Sequence, residues 1–345
     1  MDKPFTQPPT LIGQTLEELE SLAISLGSEE FRGRQLFDWI YSKQIDDYQK
    51  MSNLSIAFRE RLTDFSIHPL KLVNKDISNS KKTQKYLFAL QDGKMIESVL
   101  MMDGKRITVC LSTQVGCAVD CDFCATAKMG FVQNLTIGEI LDQFLQLQKI
   151  STRRITNIVF MGMGEPFLNY ENTIEAAHLL HHPKGINMGA WRITISTSGI
   201  TRNIDRFTKE GHSYKLAVSL NASNEQQRLK TMPITKTNPF LGLINASKNY
   251  TLRSRKKITF EYVMLSNIND DTKDAKVLIH LLGSIDCKLN IIPYNEIDGS
   301  YKRPNDERID NFLSVLEKAP FPVTIRWSKG QGIDAGCGQL ATKTG

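Results

Sequence analysis

Apolar strands alternate with amphipathic helical segments through most of this chain, from residue 107 to residue 328. This order is typical of βαβ units, in which helices join parallel strands and cover the sheet. The predicted strands are residues 107–112, 156–161, 191–197, 215–220, 257–263, 288–293 and 322–326, and the predicted helices are residues 136–150, 171–182, 200–210, 238–249, 270–283 and 306–317. An open or closed β/α barrel fits this order best, and its chemistry would lie at the carboxyl ends of the strands.

The segment before the barrel predicts a small helical module. Thr15 and Glu18 form a capping-box pattern at the start of an apolar periodicity, and further amphipathic runs cover residues 29–41 and 54–65. Three cations make the outer face of the second run basic: Arg32, Arg34 and Lys43. Basic residues on such a face are commonly only solvated, so the charge pattern alone favours a packing module over one that contacts RNA.

Two hairpins are predicted between this module and the barrel. Asp92-Gly93 and Asp103-Gly104 separate runs of alternating apolar residues, and Asp-Gly between such runs is a strong hairpin signal. Glu97 interrupts the apolar run 95–102, where alternation turns it either to solvent or into a site. We therefore divide the chain into a helical module, a hairpin extension, the barrel and a terminal loop: residues 1–66, 67–106, 107–328 and 329–345.

Four of the six cysteines lie close together, one in the first barrel strand and three in the segment after it. Cys117, Cys121 and Cys124 form a C-x3-C-x2-C pattern. Three thiolates at this spacing can hold three corners of a cubane cluster and leave its fourth iron open to a ligand. Structural zinc usually takes four ligands in two pairs, and here only Cys110 could complete a set of four. A disulfide framework is disfavoured because the cysteines are few and clustered.

Small polar residues and glycines follow several of the predicted barrel strands. Each is an ordinary strand end, but together they would meet at one rim of the barrel and form a cofactor site. The candidates are Gly164, Glu165, Ser196, Ser219, Leu220, Asn221 and Asn295. Glu165 lies in M-G-M-G-E-P, where the glycines allow close approach of the backbone and the carboxylate can accept from an ammonium.

Composition restricts the function classes further. The 345-residue chain has a net charge of +6, which permits a nucleic-acid partner without requiring one. It has no run of about eighteen apolar residues and its start is unlike a signal peptide, so we expect a cytoplasmic protein without a membrane span. His178, His181 and His182 close a predicted helix, where they suit the helix dipole better than a metal ion.

The cysteine pattern, with Phe123 as its aromatic residue, resembles the signature of the radical S-adenosylmethionine (SAM) enzymes. Nearly the whole chain resembles the RlmN/Cfr family of RNA methyltransferases. The shared motifs are F-R-G-R-Q-L-F-D-W-I-Y, M-S-N-L-S, I-E-S-V, S-T-Q-V-G-C-A-V-D-C-D-F-C-A-T, N-L-T, F-M-G-M-G-E-P, S-T-S-G, M-P-I, P-Y-N and C-G-Q-L. The V-G-C-A segment is closer to the RlmN branch, which methylates carbon 2 of adenine, than to the Cfr branch, which methylates carbon 8.

The resemblance implies a fold, cofactors and partners. The fold is α/β: a partial (β/α)6 TIM-like barrel with a small N-terminal helical domain and linking hairpins. The cofactors are a [4Fe-4S] cluster on the three cysteines and two SAM molecules per turnover. The substrates are 23S rRNA, at the peptidyl-transferase centre, and tRNA, at the position 3′ of the anticodon. A monomer that takes electrons from a donor such as flavodoxin is expected.

The resemblance also implies catalytic roles for three residues. Cys337, in the terminal loop, takes a methyl group from one SAM molecule. A second SAM molecule on the open iron yields a radical that activates this methyl group, whose carbon then adds to carbon 2 of the base. Glu97 matches the position of the base that removes the proton from carbon 2. Cys110 finally forms a disulfide with Cys337 and releases the methylated RNA.

Four positions depart from the family pattern. Asn221 stands where many relatives have histidine, and the final loop differs at Trp327, Gly332 and Gly336. These differences concern the conformation of the loop more than its chemistry, because Cys337 itself is retained. Two alternative functions stay open: methylation of carbon 8 of the same base, and a zinc-stabilised RNA-binding module without catalysis.

Overall fold

Ten strands form one continuous sheet in this computed structural model, which describes residues 9–297, 299–328, 330 and 332–342. The strands in chain order are β1 (Lys71–Ile77), β2 (Thr83–Ala89), β3 (Met95–Asp103), β4 (Arg106–Cys110), β5 (Gln114–Gly116), β6 (Phe131–Asn134), β7 (Asn157–Phe160), β8 (Ile193–Thr197), β9 (Lys215–Ser219), β10 (Ile258–Met264), β11 (Cys287–Pro293) and β12 (Val323–Ile325). The sheet order is β1-β2-β3-β4-β7-β8-β9-β10-β11-β12, and β5 pairs separately with β6.

Helices join the later strands and precede the sheet. They are α1 (Leu16–Ser25), α2 (Glu30–Phe37), α3 (Ile56–Arg61), α4 (Ala125–Lys128), α5 (Ile137–Ile150), α6 (Tyr170–His181), α7 (Thr201–Glu210), α8 (Glu225–Thr231), α9 (Phe240–Ser254), α10 (Thr272–Leu282) and α11 (Asp306–Leu316). A single large apolar cluster contains side chains from the helical module, the strands and the covering helices. Burial of this cluster drives the assembly of the sheet and its helices.

The sheet is antiparallel from β1 to β4 and parallel from β4 to β12. Its parallel part, with the helices between strands, confirms the predicted α/β fold of the partial-barrel type. The edge strands β1 and β12 do not pair with each other in the described part of the chain, so the sheet stays open there. The carboxyl ends of the parallel strands share one rim, where a site can form.

The predicted strand bounds agree with the structure to within two residues, and the deviations have local causes. The strand expected to begin at residue 191 begins at Ile193, because Ala190–Arg192 form a 3₁₀ turn in which the Arg192 N–H donates to Gly189 at 2.8 Å. The Asp92-Gly93 hairpin is confirmed, with β2 and β3 antiparallel on either side. Four short elements lay outside the prediction because they are too short for a periodic signal: β5, β6, α4 and α8.

The helical module begins with the predicted capping box. The Glu18 N–H donates to Thr15 Oγ1 at 3.2 Å, and the Thr15 N–H donates to Glu18 Oε2 at 2.7 Å. The module connects to α5 through His68, whose Nδ1 lies 2.5 Å from the fully buried Asp142 carboxylate. Burial alone would lower the His68 pKa, but the hydrogen bond and the charges of Asp142 and Asp46 raise it overall.

The domain division stays a prediction, although two of its boundaries fall between elements. The boundary after residue 66 precedes β1 and the boundary after residue 328 follows β12, whereas the boundary after residue 106 falls at the first residue of β4. Residues 1–8, 329, 331 and 343–345 of the first and last segments lie outside the described residues. No helix in the described ranges is long and apolar enough to cross a membrane.

Candidate active site

The loop between β5 and α4 carries the three cysteines of the C-x3-C-x2-C pattern. It leaves β5 at Gly116, whose φ of +71° favours glycine. A Cβ at this position would lie 1.7 Å from the carbonyl oxygen of Gly130, because Gly116 pairs with Phe131, the next residue, in the antiparallel β5–β6 pair. The same carbonyl accepts the Cys117 N–H at 3.0 Å. The buried ring of Phe123 anchors the loop in a second apolar cluster with Met232.

The three thiols are free and lie close enough to interact electrostatically. Burial raises the pKa of the Cys117 thiol to about 12, and burial together with the Cys124 and Cys117 thiols raises the pKa of Cys121 well above its usual value. Three thiolates would therefore be costly here without a cationic partner. No three His, Cys, Asp or Glu side chains of the described residues are grouped tightly enough for one metal ion. Three thiols are one ligand short of the four that structural zinc usually takes, and they match a cluster in which each thiolate binds a different iron and the fourth iron stays open.

Gly164 and Glu165 follow β7 beside this loop. Glu165 is buried, and its carboxylate accepts from the Ser198 N–H at 2.6 Å and the Phe167 N–H at 2.9 Å. Burial raises the Glu165 pKa, although both N–H donors oppose this rise. A buried carboxylate fixed by backbone donors is well placed to accept from an ammonium group.

The other predicted cofactor residues differ in which of their polar groups already have hydrogen-bond partners within the protein. The Leu220 N–H donates to Glu261 O at 2.9 Å and its carbonyl accepts from Arg228 Nε at 3.1 Å, which leaves its side chain as the natural contact. The Asn221 Oδ1 accepts from the Val263 N–H at 2.8 Å. Ser196 is the last residue but one of β8 and Ser219 is the last residue of β9, at the same rim.

The terminal loop lies over this rim and presents Cys337. Its contacts reach three parts of the site. The Asn295 amide donates to Cys337 O at 3.2 Å, the Ala125 N–H donates to Gly338 O at 2.7 Å, and the Ala341 N–H donates to Glu97 Oε2 at 3.0 Å. Cys337 is the one cysteine that is exposed. These contacts join the strand ends, the cysteine loop and the Glu97 carboxylate around one exposed thiol.

Cys110, at the end of β4, lies near Cys337. Burial, with a smaller contribution from the nearby Cys337, raises the pKa of the Cys110 thiol to about 12. Although Cys337 is exposed, the protein atoms packed around its thiol also raise its pKa, whereas the Arg326 guanidinium opposes the rise in both thiols. The structure therefore brings together the two cysteines that lie 227 positions apart in sequence, as residues 110 and 337.

Glu97 points into the structure rather than to solvent. It is 5% exposed, and Lys85 on the neighbouring β2 lies 3.0 Å from its carboxylate. Burial raises the Glu97 pKa, while the hydrogen bond and charge of Lys85 lower it. The carboxylate thus has one cation and one backbone donor as partners, the latter from the loop that carries Cys337.

Three charged residues of the site were missed from the sequence. Arg228 is fully buried on α8, and Glu261 is buried on β10, 2.9 Å from the Asn290 amide and 3.7 Å from Arg326. A signal for Glu261 was present, because this carboxylate interrupts the apolar strand I-T-F-E-Y-V-M just as Glu97 interrupts its own. Arg228 and Arg326 carry no comparable sequence signal.

The three terminal-loop residues that depart from the family pattern are compatible with the contacts that hold this loop at the site. A Cβ at Gly336 would meet the Asn295 amide and the Ser328 hydroxyl at 2.6 Å, so glycine permits the close approach that holds Cys337. Trp327 is half-exposed, with the Arg303 guanidinium 5.1 Å from its ring centre. Gly332 has a φ of +92°, a conformation that other residues rarely adopt.

Comparisons with known proteins agree with this arrangement. Residues 10–67 match the family model of the ribosomal RNA large subunit methyltransferase N-terminal domain, and residues 111–278 match that of the radical SAM superfamily. A probable dual-specificity RNA methyltransferase RlmN from Thermotoga sp. (strain RQ2) is 42% identical over 96% of this chain and 97% of the relative. A protein of the same description from Leptospira interrogans is 40% identical over 98% of this chain and 97% of the relative.

A solved structure is also similar over the full fold. The radical SAM methyltransferase from Sphaerobacter thermophilus superimposes with a TM-score of 0.94 and 41% identity, covering 97% of this chain and 100% of that structure. Membership in a family of enzymes is not compatible with a zinc-stabilised module that lacks catalysis. The chain belongs to the RlmN family and is a SAM-dependent radical RNA methyltransferase.

Proposed function

We propose that this chain methylates carbon 2 of adenine in 23S rRNA, at the peptidyl-transferase centre, and in tRNA, at the position 3′ of the anticodon. One observation carries this proposal: Cys337 lies near Cys110, and the backbone of its own loop is bonded to Glu97. Carbon 2 of adenine is electron-poor, so an ordinary displacement cannot methylate it. A reaction that passes through a methylated cysteine needs two thiols and a base. Cys337, Cys110 and Glu97 supply these groups.

The three-cysteine loop and the rim are the proposed cofactor sites. Cys117, Cys121 and Cys124 would hold a [4Fe-4S] cluster, which together with SAM supplies the one-electron chemistry of the reaction. The SAM-binding residues would be Gly164, Glu165, Ser196, Ser219, Leu220, Asn221 and Asn295. Glu165 suits the amino group of SAM because its buried carboxylate is already oriented by two backbone donors. Two SAM molecules would be used per turnover, one as methyl donor to Cys337.

Cys337 is the proposed methyl acceptor. A thiolate is the nucleophilic form of cysteine. Desolvation by the surrounding protein disfavours it at Cys337, while the positive charge of Arg326 favours it. The bonds from Asn295 to Cys337 O and from the Ala341 N–H to Glu97 hold the loop that carries this thiol beside the rim. Arg326 therefore assists the first methyl transfer, in which the sulfur–carbon bond forms as the sulfonium of SAM becomes a thioether.

Glu97 and Cys110 act after the methyl carbon has joined the base. Glu97 accepts the proton from carbon 2, and one electron leaves the radical adduct for the iron–sulfur cluster as the ring becomes aromatic again. Cys110 then attacks the sulfur of Cys337, a sulfur–sulfur bond forms, and the carbon–sulfur bond breaks with its electron pair passing to the RNA. The carbon is protonated to a methyl group, and an external thiol reductant must restore both cysteines before the next turnover.

The RNA would be held by the helical module and by exposed cations, with the target base unstacked into the site. The basic face of α2 contributes less charge than its sequence indicates. Arg34 pairs with Glu20 and Glu30 at 2.9 and 2.8 Å, and Lys43 pairs with Asp38 at 2.9 Å. RNA contact by this module therefore rests on the match of residues 10–67 to a domain of ribosomal RNA methyltransferases.

Three further features complete the proposal. The electron donor is a flavodoxin-like protein, the chain acts as a monomer, and it works in the cytoplasm. The electron donor follows from the family resemblance, and the location from the free cysteines, which are typical of a reducing compartment.

Product analysis tests the proposed reaction. The anaerobically prepared enzyme is given SAM, a reductant and unmodified 23S rRNA or tRNA, and the RNA is digested to nucleosides. We expect 2-methyladenosine by mass spectrometry against authentic standards. Exclusive formation of 8-methyladenosine would contradict the proposal, and product from only one of the two RNAs would contradict dual specificity.

Replacing Lys85 by methionine is expected to move the acid limb of the pH–activity profile to higher pH. Glu97 must be deprotonated to act as a base, burial already raises its pKa, and Lys85 opposes that rise. Without Lys85 the pKa rises further, so more alkaline conditions are needed for the same carboxylate fraction. The expected displacement is about one pH unit or more.

Lys94→Met provides the matched control for this measurement. Lys94 pairs with Asp92 at the tip of the same hairpin, 2.6 Å away, and its loss should leave the acid limb in place. The profile is recorded as single-turnover product formation with preformed methyl-Cys337, so that the step that needs Glu97 is observed. An acid limb at the same pH in Lys85→Met and the unaltered protein would exclude Glu97 as the base.

A further inference from the structure

Arg228 lies fully buried at the centre of the rim, although arginine is rarely buried without a carboxylate partner. Its Nε donates to Leu220 O at 3.1 Å, its Nη1 to Thr235 Oγ1 at 2.8 Å, and its Nη2 to Ser219 O at 3.2 Å and to Ser198 O. All four acceptors are neutral oxygens. The guanidinium is therefore satisfied as a hydrogen-bond donor while its charge stays uncompensated by these bonds.

The charge itself persists at neutral pH. Burial lowers the pKa of Arg228 to about 10, which still leaves the guanidinium protonated. A cation taken out of water is costly unless a nearby anion offsets the loss of hydration. The groups that act on it electrostatically are Cys121 first, then Glu225 and Glu165. The cysteine loop is also bonded to the helix that carries Arg228, because the Asp122 N–H donates to Thr231 O of α8 at 3.0 Å. Cys121 is thus an anionic partner for the guanidinium once it is a thiolate.

We propose that Arg228 is the built-in counterion of the iron–sulfur cluster and raises its reduction potential, while tying together the ends of β8 and β9 that line the SAM site. This inference rests on the proposed function, because it takes Cys121 to be a cluster ligand. Reduction adds an electron to a cluster that already carries three thiolates. A fixed positive charge in a buried, low-dielectric setting stabilises the reduced state more than the oxidised state.

The geometry separates this role from that of a SAM ligand. Guanidinium has five N–H donors, and four of them already have protein acceptors. One remaining donor cannot form the paired bonds by which arginine usually binds a carboxylate. Arg228 therefore acts on the cluster through its charge and on the SAM site through the carbonyls of Ser198 and Ser219, as a positioning residue.

The test is a redox titration of the cluster followed by electron paramagnetic resonance, in the anaerobically reconstituted full-length protein. Iron and sulfide are quantified first, so that only cluster-loaded protein is compared. We expect Arg228→Gln to shift the midpoint potential to more negative values and Arg228→Lys, which keeps the charge, to stay close to the unaltered protein. Arg206→Gln is the matched control, since Arg206 is exposed on α7 and should leave the potential unchanged.

The outcomes separate the inference from the function on which it rests. An unshifted potential in cluster-loaded Arg228→Gln would overturn the inference and leave the proposed function intact. If Arg228→Gln loses the cluster altogether, Arg228→Lys decides. If Arg228→Lys retains the cluster at the original potential, the positive charge is what the cluster needs and the inference stands. If both variants lose the cluster, the guanidinium has a purely structural role and the inference is overturned. Absence of a [4Fe-4S] cluster from the unaltered protein would instead overturn the proposed function.

Discussion

Replacing Cys110 by alanine is expected to stall the enzyme with RNA covalently attached to Cys337. In the proposed sequence, Cys110 is the thiol that attacks the Cys337 sulfur and breaks its bond to the methylated base. Methyl transfer to Cys337 and addition to the base do not need Cys110, so the reaction should proceed to the joined species and stop. Release of methylated RNA should fall on the order of 10³-fold or more, as for loss of other nucleophiles.

The joined species is measured on a denaturing gel as labelled RNA that migrates with the protein, and nuclease digestion followed by peptide mass spectrometry locates the nucleotide. Cys287→Ala is the matched control, because Cys287 is a buried thiol at the start of β11 with only a weak contact to Leu282 O, at 3.9 Å. It should release product normally. The double variant of Cys110 and Cys337 should trap no RNA. Normal release by Cys110→Ala would contradict the assigned role.

The fold could be predicted from sequence where periodicity was long enough to show. The parallel strands and their helices were identified because each is an apolar run with turn residues on both sides, and helix α1 because its capping box is local. The β5–β6 pair and α8 were not, since three to seven residues do not establish a period. These short elements hold the cysteine loop and Arg228, so the least predictable parts of the fold lie at the site.

The sequence predicted those parts of the site whose residues lie close together in the chain. The spacing of Cys117, Cys121 and Cys124 indicates a cluster directly, whereas the pairing of Cys110 with Cys337 came from family resemblance, because contact between residues so far apart is a tertiary property. Arg228 was missed for the same reason: its acceptors are backbone carbonyls of two strands, which no residue pattern reveals. Conversely, the Leu220 carbonyl already accepts a hydrogen bond from Arg228. The position of Leu220 at the end of a strand does not reveal this bond.

Replacing Gly116 by alanine is expected to remove the cluster from an otherwise folded protein. The added Cβ would lie 1.7 Å from the carbonyl oxygen of Gly130, and backbone atoms cannot move aside unless the β5–β6 pair opens. Opening the pair also breaks the bond from the Cys117 N–H to that carbonyl and displaces the first cysteine. Iron and sulfide per chain after anaerobic reconstitution should fall to a small fraction of the original content, with loss of the visible absorption.

Gly130→Ala separates the clash from backbone strain. Gly130 has a φ of +70°, almost the same as Gly116, but an added Cβ there would meet no atom within 4 Å. Both substitutions carry the left-handed penalty of about 1–2 kcal/mol, so only the clash distinguishes them. Gly130→Ala should therefore keep most of its iron and sulfide, with a slightly lower melting temperature. Full cluster content in both variants would show that the close contact between β5 and Gly130 does not position the cysteine loop. Cluster loss in both variants would trace the defect to backbone strain on the loop rather than to the contact at Gly116.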